Sequence, residues 1–426
     1  MARTQTLSRP LTSHYREIAA CRMTGSRNLV SLLDLGEMAL TGVFPKPGVD
    51  VPSGPVELVL CEDGGLVQLR QSYAPSLMYG SNYGYRSGLN GSMVRHLSEI
   101  ATSLDNRLRP SVGDVVLDIG SNDGTLLGSY PNREQIFVGM DPTAAKFRRF
   151  YPPHVRVVAD FFSEQAYRHV VGAKQARVVT SVAMLYDLEN PLAFMQSVSR
   201  ILDDEGLWFT EQSYLPVLLD SCAYDTICHE HLEYYGLTQL QWMADRADLR
   251  IIDAKPNDTN GGSIAVTFAH RGSHHQADSA NIALLLAAER RRELSETGGF
   301  LQFQAAVECH RQSLPALIRS LRAEGKTVFG YGASTKGNVL LQACGLTAED
   351  LPCIADVNPD KHGCVTPGTH IPIVSEAEAH AQQPDYYLVL PWHFRKHIIE
   401  REQAFLARGG KLIFPLPTID VVGAHA

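Results

Sequence analysis

The sequence predicts an α/β protein with two Rossmann-like parallel sheets and a smaller module at its N-terminus. Two observations predict this fold class. Apolar strand-like runs alternate with helical stretches between about residues 85 and 270, and the same rhythm restarts after residue 323. Before residue 75, by contrast, short apolar runs are broken by Gly and Pro. We therefore expect three units, which cover residues 1–78, 79–290 and 291–426.

Strand-like runs in the two larger units define their predicted sheets. A further apolar run, Ser263–Phe268, is expected to close the first sheet, and residues 275–323 have the composition of a connecting helical pair. The predicted strands are Val115–Ile119, Ile136–Asp141, Val155–Asp160, Val178–Met184 and Leu207–Gln212 in the central unit, and Thr327–Gly330, Cys353–Asp356, Tyr386–Leu390 and Lys411–Phe414 in the C-terminal unit.

Composition excludes several classes of protein. The formal net charge is −8 and Lys and Arg form no run, which argues against a broad nucleic-acid-binding face. Met1–Leu11 lacks an apolar signal core, and no stretch of about 18 apolar residues is present to span a membrane. The eight cysteines are scattered rather than arranged as a disulfide framework. We expect a cytoplasmic protein with reduced thiols.

The segment Val115–Leu127 has the pattern of a cofactor-binding turn. A buried strand leads into Asp118, and Gly120 permits a tight turn with close approach of the backbone to a ligand. Gly124 lets the next helix start near the strand, and Asn122 stands where such loops often carry a third glycine. A turn that only connects strand and helix has the same pattern, so further residues must decide.

Two further acids follow the next two predicted strands. Asp141 lies about 20 residues after the turn, which is the spacing of an acid that binds ribose hydroxyls. Asp160 and Phe161 end the third strand, where an adenine would lie. The Gly-x-x-x-Gly spacing does not fit a dinucleotide. The three acids therefore favour S-adenosylmethionine (SAM) over NAD.

Residues 224–235 are dense in titratable groups and follow the strand that contains Glu211. His229, Glu230 and His231 are consecutive, and a histidine near its usual pKa can take up a proton at neutral pH. A metal site and a solvated turn are the competing interpretations. Adjacent side chains diverge and lack the i, i+4 histidine pair of helical zinc motifs, so catalysis is favoured.

The segment Gly330–Asn338 follows a predicted strand and opens a helix. Its glycines and Ser334 allow backbone amides to face an anion, and Lys336 adds a positive charge. A tight strand–helix turn is the alternative. The candidate phosphate-binding residues are Tyr331, Gly332, Ala333, Ser334, Lys336 and Asn338, with His393 and Arg395 from a later connection.

Together these motifs resemble the nucleotide-sugar C-methyltransferases, including the sugar 3-C-methyltransferases of deoxysugar biosynthesis. The resemblance extends over nearly the whole chain. The segments that carry it are Tyr83–Ser87, Asp118–Leu127, Tyr224–His231, Gly261–Ser263, Gly330–Asn338 and Pro367–Ile373.

The resemblance implies methylation at C3 of a 4-keto-6-deoxysugar that is linked to dTDP or GDP. His231 is then the base that forms the enolate, and Glu230 supports it or binds the sugar. Tyr83, Tyr85 and Ser87 would close over SAM or the sugar, and His229 would contact the substrate. A tyrosine often precedes the His-Glu-His motif in this family, but Cys228 stands there in this chain. Tyr224 is a nearby catalytic candidate, and the donor to the C4 oxyanion stays open.

The family's N-terminal module binds zinc through two Cys-x-x-Cys knuckles, and this chain keeps half of each. The first knuckle reads Cys21-Arg-Met-Thr24 and the second Cys61-Glu-Asp-Gly64. Two thiolates do not complete a closed tetrahedral site. We therefore predict a zinc-binding-like module without structural zinc.

Two other functions fit the same motifs. One is an O- or N-methyltransferase that acts on another phosphorylated acceptor, for which no carbon base is needed. The other is a catalytically idle binding protein of the same fold.

Overall fold

A computed structural model describes residues 14–79 and 84–424 of the chain. The predictions made for Met1–Leu11 and for Tyr83 fall outside these residues. In the described part, no helix combines the length and the apolar character that crossing a bilayer requires. All eight cysteines are free.

The N-terminal module is a small antiparallel sheet with a second strand pair beside it. Leu32, Leu35 and Leu66 are buried while Leu33 is half-buried, and the three-residue spacing of Leu32 and Leu35 follows from irregularities in the pairing of their strand. Val43 is buried and Phe44 half-buried in the loop that follows. The elements are β1 (Tyr15–Glu17), β2 (Leu29–Ala39), β3 (Ser53–Cys61), β4 (Leu66–Leu69), β5 (Gln71–Tyr73) and α1 (Pro75–Met78), with β1 paired to β5 and β2–β4 in one sheet.

The central unit is a seven-stranded, doubly wound sheet, as predicted. Its elements are α2 (Gly91–Leu108), β6 (Val115–Ile119), α3 (Thr125–Gly128), β7 (Ile136–Met140), α4 (Ala144–Phe147), β8 (Arg156–Val158), α5 (Glu164–Val171), β9 (Ala176–Val182), α6 (Pro191–Ile201), β10 (Leu202–Ser213), α7 (Leu215–Asp220), β11 (Glu233–Tyr234), α8 (Leu237–Arg246), β12 (Leu249–Asn257) and β13 (Ser263–His270).

The strand order of this sheet is β12-β13-β10-β9-β6-β7-β8, and β13 alone runs antiparallel to its neighbours. The connections leave β6 in one direction and β9 in the other, so the topological switch point lies between these two strands. Open α/β sheets bind ligands at such a point, outside the carboxyl ends of the strands. The short strand β11 belongs elsewhere, because it pairs with β4 and completes the sheet of the N-terminal module.

The C-terminal unit repeats this architecture on a smaller scale. Its six strands have the order β16-β15-β14-β17-β18-β19, and only the last runs antiparallel. The expected helical pair precedes it and continues through Pro315. The elements are α9 (Ser279–Arg291), α10 (Leu301–Ala323), β14 (Val328–Tyr331), α11 (Thr335–Ala343), β15 (Ile354–Asp356), β16 (Ile373–Ser375), α12 (Glu376–Ala381), β17 (Tyr386–Val389), α13 (Arg395–Arg401), α14 (Gln403–Ala407), β18 (Lys411–Phe414) and β19 (Asp420–Val422).

The units pack closely against one another. One hydrophobic cluster contains Leu58 of the N-terminal module, Tyr224 of the central unit and Phe329 of the C-terminal sheet. Other clusters lie within one unit, such as that of Leu104 and Val116 in the central unit and that of Leu341 and Leu388 in the C-terminal unit. Because the first cluster crosses the boundaries, the division into three units stays a prediction.

The two half-knuckles meet in space. Thr24 Oγ1 lies 3.5 Å from the Sγ atom of Cys61, and a Cβ atom added to Gly64 would lie 3.7 Å from the same sulfur. In the described residues, no three His, Cys, Asp or Glu side chains come together in a way that would hold a metal ion. The residues present do not fit a closed zinc site, and the absence of zinc stays a prediction.

Arg22 organises this corner of the module. Its guanidinium donates to the carbonyl oxygens of Leu69 at 2.6 Å and Gln71 at 3.1 Å and to Ser72 Oγ at 2.7 Å. Its Nε atom lies 3.7 Å from Oε1 of Glu233, a buried carboxylate on β11. One side chain thus joins the first half-knuckle to β4, β5 and the segment that follows the His-Glu-His motif.

Restoring both cysteines is expected to restore metal binding. The variant Thr24→Cys/Gly64→Cys places four thiols around one point, so it should bind about one zinc per chain. Metal analysis of purified protein by mass spectrometry measures this. The single variant Thr24→Cys, with three thiols, is the control and should retain less zinc. A native chain that carries a full zinc complement would contradict the prediction for the natural sequence.

Candidate functional site

The glycine turn after β6 has the backbone geometry that its sequence predicts. Gly120 has φ +75° and donates its N–H to the carbonyl of Met140 at 2.8 Å. Asn122 also has positive φ, at +49°. Gly124 has φ +77°, and a Cβ atom there would come within 2.6 Å of the Tyr151 ring. Gly124 therefore serves the packing of the turn, whereas Gly120 and Asn122 line the adjoining cavity.

This cavity lies at the switch point, at the carboxyl ends of β6, β7 and β9. Apolar side chains, including Met140, Phe162 and Leu188, form much of its wall. Among the residues predicted to bind the cofactor, Tyr85, Ser87, Asp118, Gly120, Asn122, Asp141 and Phe161 line it.

The structure corrects the expectation for Asp160. Strand β8 ends at Val158 rather than at Asp160, so the chain has already turned at this residue. Asp160 is exposed, and its Oδ1 accepts the N–H of Phe161 at 2.8 Å. The carboxylate thus caps its own turn, and only the neighbouring Phe161 lines the cavity.

Two carboxylates face the cavity from adjacent strands. Burial raises the pKa of Asp118 to about 7, although its Oδ1 accepts a 2.6 Å hydrogen bond from Thr180. Asp141 accepts the N–H of Asn122 at 2.9 Å on one oxygen, and both the N–H and O–H of Thr143 on the other. These bonds fix Asp141 in place, and its Oδ2, which accepts only from Asn122, has a second lone pair for a ligand.

The segment Gly84–Ser87 closes the cavity from outside. The N–H of Ser87 donates to Asn122 Oδ1 at 2.9 Å, and Asn122 Nδ2 donates to the carbonyl of Tyr85 at 3.3 Å. Two carboxylates, close backbone amides and an apolar wall match the amino, ribose and adenine groups of SAM. The residues present therefore fit this cofactor.

His231 lies beside the cavity, at the joint with the C-terminal unit. Its Nδ1 lies 2.8 Å from the carbonyl oxygen of Thr226, and its ring centroid is 4.3 Å from that of Tyr186. Because a carbonyl only accepts, Nδ1 carries the proton and Nε2 keeps the lone pair. Burial lowers the pKa of His231 to about 4, and the charge of Lys336 acts in the same direction. The imidazole is therefore neutral at pH 7.

Glu230 connects this histidine to the cofactor cavity. It is buried, its Oε2 has no hydrogen-bond partner among the described residues, and burial raises the pKa of its carboxyl. Asp187 lines the cavity and lies close enough for the charge of Glu230 to raise its pKa further, beyond the effect of burial. The two carboxyls thus mark where the cofactor cavity meets the His-Glu-His segment.

Lys336 belongs to the C-terminal unit and contacts a residue that lines the cofactor cavity. Its Nζ donates to the carbonyl of Asn260 at 2.5 Å, and Asn260 lines the cofactor cavity. Burial lowers the pKa of Lys336, and the charge of Asp225 opposes this effect. His393 lies nearby, since burial and the charge of Lys336 lower its pKa well below the usual value.

Tyr224 and His229 point away from this centre, which corrects their predicted roles. Tyr224 is fully buried, and its hydroxyl lies 2.8 Å from His310 Nδ1 on α10. His229 is also fully buried, with its ring edge-on to that of Tyr73 at 4.7 Å. Both side chains pack between units, because the chain reverses direction within residues 224–231.

In the turn Gly330–Asn338, two of the amide N–H groups that could face a phosphate are used internally. That of Ala333 donates to Asp356 at 2.7 Å and that of Gly337 to Ser334 at 3.0 Å. A Cβ atom at Gly332 would meet Pro391 at 2.6 Å. Tyr331 donates to Glu402 at 2.9 Å and Asn338 to the carbonyl of Thr41 at 2.8 Å. Arg395 pairs with Asp420 at 2.5 Å on the surface.

Several residues of the centre carry no signal in the sequence. Asp225 Oδ2 accepts from Trp392 Nε1 at 2.7 Å, across 167 positions of chain. His96 Nε2 lies 2.7 Å from Glu211 Oε1, and Asn257 donates to the other oxygen at 2.7 Å. Asp187 and Asn260 lie outside the recognised motifs; Asp187 follows the predicted strand Val178–Met184, and Asn260 precedes the predicted strand Ser263–Phe268.

Comparison with known proteins places these features in a family. Three family models match in succession: "Putative zinc binding domain" over residues 21–79, "Methyltransferase domain" over 93–254 and "C-methyltransferase C-terminal domain" over 258–417. C-methyltransferase NovU of Streptomyces niveus is 32% identical over 419 residues, which cover 96% of this chain and 98% of NovU. The chain belongs to the C-methyltransferase family. It is a SAM-dependent C-methyltransferase.

Two solved methyltransferase-type structures match less than half of the chain. A methyltransferase bound to the Trm112 activator of Haloferax volcanii matches with 13% identity and a TM-score of 0.35, covering 43% of this chain and 94% of that one. The LepI complex with SAM matches with 14% identity and a TM-score of 0.33, covering 43% and 54%.

Cofactor binding is expected to release a proton from Asp118. The carboxyl has a pKa of about 7 in the free protein, and a ligand ammonium beside it favours the ionised form. S-adenosylhomocysteine should therefore bind more tightly as the pH rises from about 6 to about 8. Titration calorimetry at pH 6.5, in buffers of different ionisation enthalpy, measures the proton release.

Two variants control this experiment. Asp118→Asn should bind without proton release. Thr180→Val removes the hydrogen bond that lowers the pKa, so its proton release should extend to higher pH. Equal release by the native protein and Asp118→Asn would assign the proton to another group.

Proposed function

We propose that this methyltransferase acts at C3 of a sugar that carries a ketone at C4 and is linked to a nucleoside diphosphate, dTDP or GDP. The observation that carries the proposal is His231. Its tautomer is fixed by the carbonyl of Thr226, its ring packs against Tyr186 beside the cavity residue Asp187, and the charge of Lys336 acts on it. Transfer to oxygen or nitrogen needs no base that can deprotonate carbon, whereas transfer to C3 does.

In this proposal, Nε2 of His231 takes the proton from C3. A C–H bond beside a ketone is only weakly acidic, and the neutral imidazole holds the required lone pair at pH 7. The bond from Nδ1–H to the carbonyl of Thr226 then stabilises the imidazolium that forms. The electron pair of the broken C–H bond moves towards the C4 oxygen and forms the enolate.

Lys336 is the donor that we assign to the C4 oxygen. It is a cation close to His231, and the carbonyl of Asn260 holds it in place. A fixed cation in a poorly solvated site stabilises a developing oxyanion strongly. Glu230, whose pKa is raised by burial, is in position to hydrogen-bond a hydroxyl of the sugar.

The cofactor residues complete the site. Asp118, Asp141 and Phe161 would hold SAM, with Tyr85 and Ser87 on the outer wall. When bound, SAM supplies the electrophilic methyl group that the C3 carbon takes up, leaving S-adenosylhomocysteine.

Replacing His231 is expected to abolish proton exchange. His231→Ala should lose exchange at C3 when the protein is incubated in deuterated water with a dTDP- or GDP-4-keto-6-deoxysugar, because no base remains. NMR of the recovered sugar measures the exchange. The affinity for S-adenosylhomocysteine, measured by calorimetry, should stay within about threefold because His231 does not line the cofactor cavity.

Three outcomes of that experiment would contradict the proposal in different parts. Exchange at the native rate in His231→Ala would reject the base assignment. A C4 ketone also acidifies the C–H bond at C5, so exchange and methylation there would reject only the position. Methyl transfer to oxygen or nitrogen would reject the carbon chemistry.

Replacing Lys336 tests the oxyanion donor. Lys336→Met should slow exchange at C3 by roughly 100-fold, the usual effect of losing one such donor. Lys336→Arg keeps the charge and should recover part of the rate. Exchange rates from NMR, measured at saturating sugar nucleotide, decide this. An unchanged rate in Lys336→Met would leave the C4 oxygen without an assigned partner.

A further inference from the structure

The proposed acceptor carries a diphosphate, and the turn Gly330–Asn338 does not offer it a place. Two of the amide N–H groups at this turn bind Asp356 and Ser334, and Lys336 faces the catalytic centre instead. Asp356 also places a negative charge beside the turn. The nucleotide part of the acceptor therefore needs another site.

A large cleft lies where the three predicted units meet. Its volume is about 740 Å³, within the range of small-molecule binding sites. The N-terminal module contributes apolar walls such as Val43 and Leu77, and the C-terminal unit contributes residues 358–361. The central unit contributes Lys146, Phe147, Arg149 and Phe150. A nucleoside diphosphate fits a cleft of this size.

The charge of the cleft is positive, although the chain as a whole has a net charge of −8. Five cationic side chains line it against two carboxylates, which gives a formal charge of 5 − 2 = +3. The cations are Lys46, Arg86, Lys146, Arg149 and Lys361, and the carboxylates are Asp50 and Asp360. A cleft with this balance attracts an anion.

Aromatic rings, rather than acids, hold the key cations. The guanidinium carbons of Arg86 and Arg149 lie 4.0 and 4.7 Å from the ring centroid of Phe150. Over residues 14–79 and 84–424, no carboxylate pairs with either arginine. Ring contacts leave the N–H donors of a guanidinium available, and these donors match phosphate oxygens in geometry.

Lys361 faces the same space from the C-terminal unit. Its Nζ lies 4.4 Å from the ring centroid of Phe44 and donates to the carbonyl of Ala333 at 2.7 Å. Unlike the two arginines, it also lies 3.8 Å from a carboxylate oxygen, Oδ2 of Asp356. Lys361 is thus a third cation at the cleft. It belongs to the C-terminal unit, whereas Arg86 and Arg149 belong to the central unit. Phosphates bound here would be contacted by both large units.

The cleft adjoins the catalytic centre along two segments. In residues 84–87, Tyr85 and Ser87 line the cofactor cavity while Gly84 and Arg86 line the cleft, as expected for extended chain with alternating side chains. Gly42 lies between cleft residues Leu40 and Val43, and a Cβ atom there would clash with Glu230. A sugar attached to a diphosphate in the cleft is therefore next to Glu230.

We propose that this cleft binds the nucleoside diphosphate part of the acceptor, with Arg86 and Arg149 on the phosphates. The inference rests on the proposed function for the identity of the acceptor. It assigns the diphosphate to a junction of three units and leaves Lys336 free for the reacting ketone.

Calorimetry with dTDP, GDP and inorganic diphosphate tests the cleft on the full chain. Arg86→Ala and Arg149→Ala should each weaken binding of the better nucleotide by about tenfold or more, since each removes a charge-assisted hydrogen bond. Arg148→Ala is the matched control, because Arg148 is exposed in the same turn but does not line the cleft. It should bind the nucleotide like the native protein.

Turnover separates this inference from the proposed function. With a ketosugar nucleotide that is methylated, Arg149→Ala should raise KM about tenfold and change kcat by less than about threefold. Methylation with unchanged KM in both arginine variants would overturn the cleft and leave the function standing. Weakened dTDP or GDP binding in the arginine variants, without methylation of any ketosugar, would support the cleft and reject the function. Loss of nucleotide binding in Ser334→Ala but not in the arginine variants would place the diphosphate at the turn and overturn the inference.

Discussion

The hydrogen bond from Lys336 to the carbonyl of Asn260 is the contact on which the arrangement of the site depends. It joins a helix start of the C-terminal sheet to the rim of the cofactor cavity. The turn Gly330–Asn338, whose sequence is typical of an anion site, therefore lies in an interface between two units. Its one cation, Lys336, lies close to His231. The second contact across this joint, between Asp225 and Trp392, keeps the two units in register.

Burial controls the protonation of the whole centre. It raises the pKa of Asp187, Cys228 and Glu230 and lowers that of His231 and His393, so each of these groups is pushed towards its neutral form. Burial also lowers the pKa of Lys336 and raises that of Asp225, but the charge of each opposes the effect of burial on the other. A charge that develops on a substrate in this buried centre is surrounded by few water dipoles. A fixed cation therefore stabilises that charge strongly.

Local features were predictable from the sequence, and contacts between distant segments were not. The strands Val115–Ile119 and Lys411–Phe414 agree with the structure to the residue, because apolar runs bounded by turns leave few alternatives. The glycine turn was recognised for the same reason. Tyr224, His229 and His231 lie within eight residues, yet they point in different directions, since a pattern of residue types does not give side-chain direction in an irregular segment. Asp225 and Trp392 meet only through the packing of two sheets.

Arg22 stabilises the corner of the N-terminal module where the two half-knuckles meet. Zinc sites depend on deprotonated thiols. Acid protonates these thiols, oxidants oxidise them, and chelators remove the metal itself. A guanidinium keeps its charge throughout the accessible pH range, and its bonds to Leu69, Gln71 and Ser72 need no thiolate. Through Glu233, the same side chain reaches the segment that carries His231. The segment that carries His231 therefore packs on the N-terminal module through side chains whose contacts need no metal.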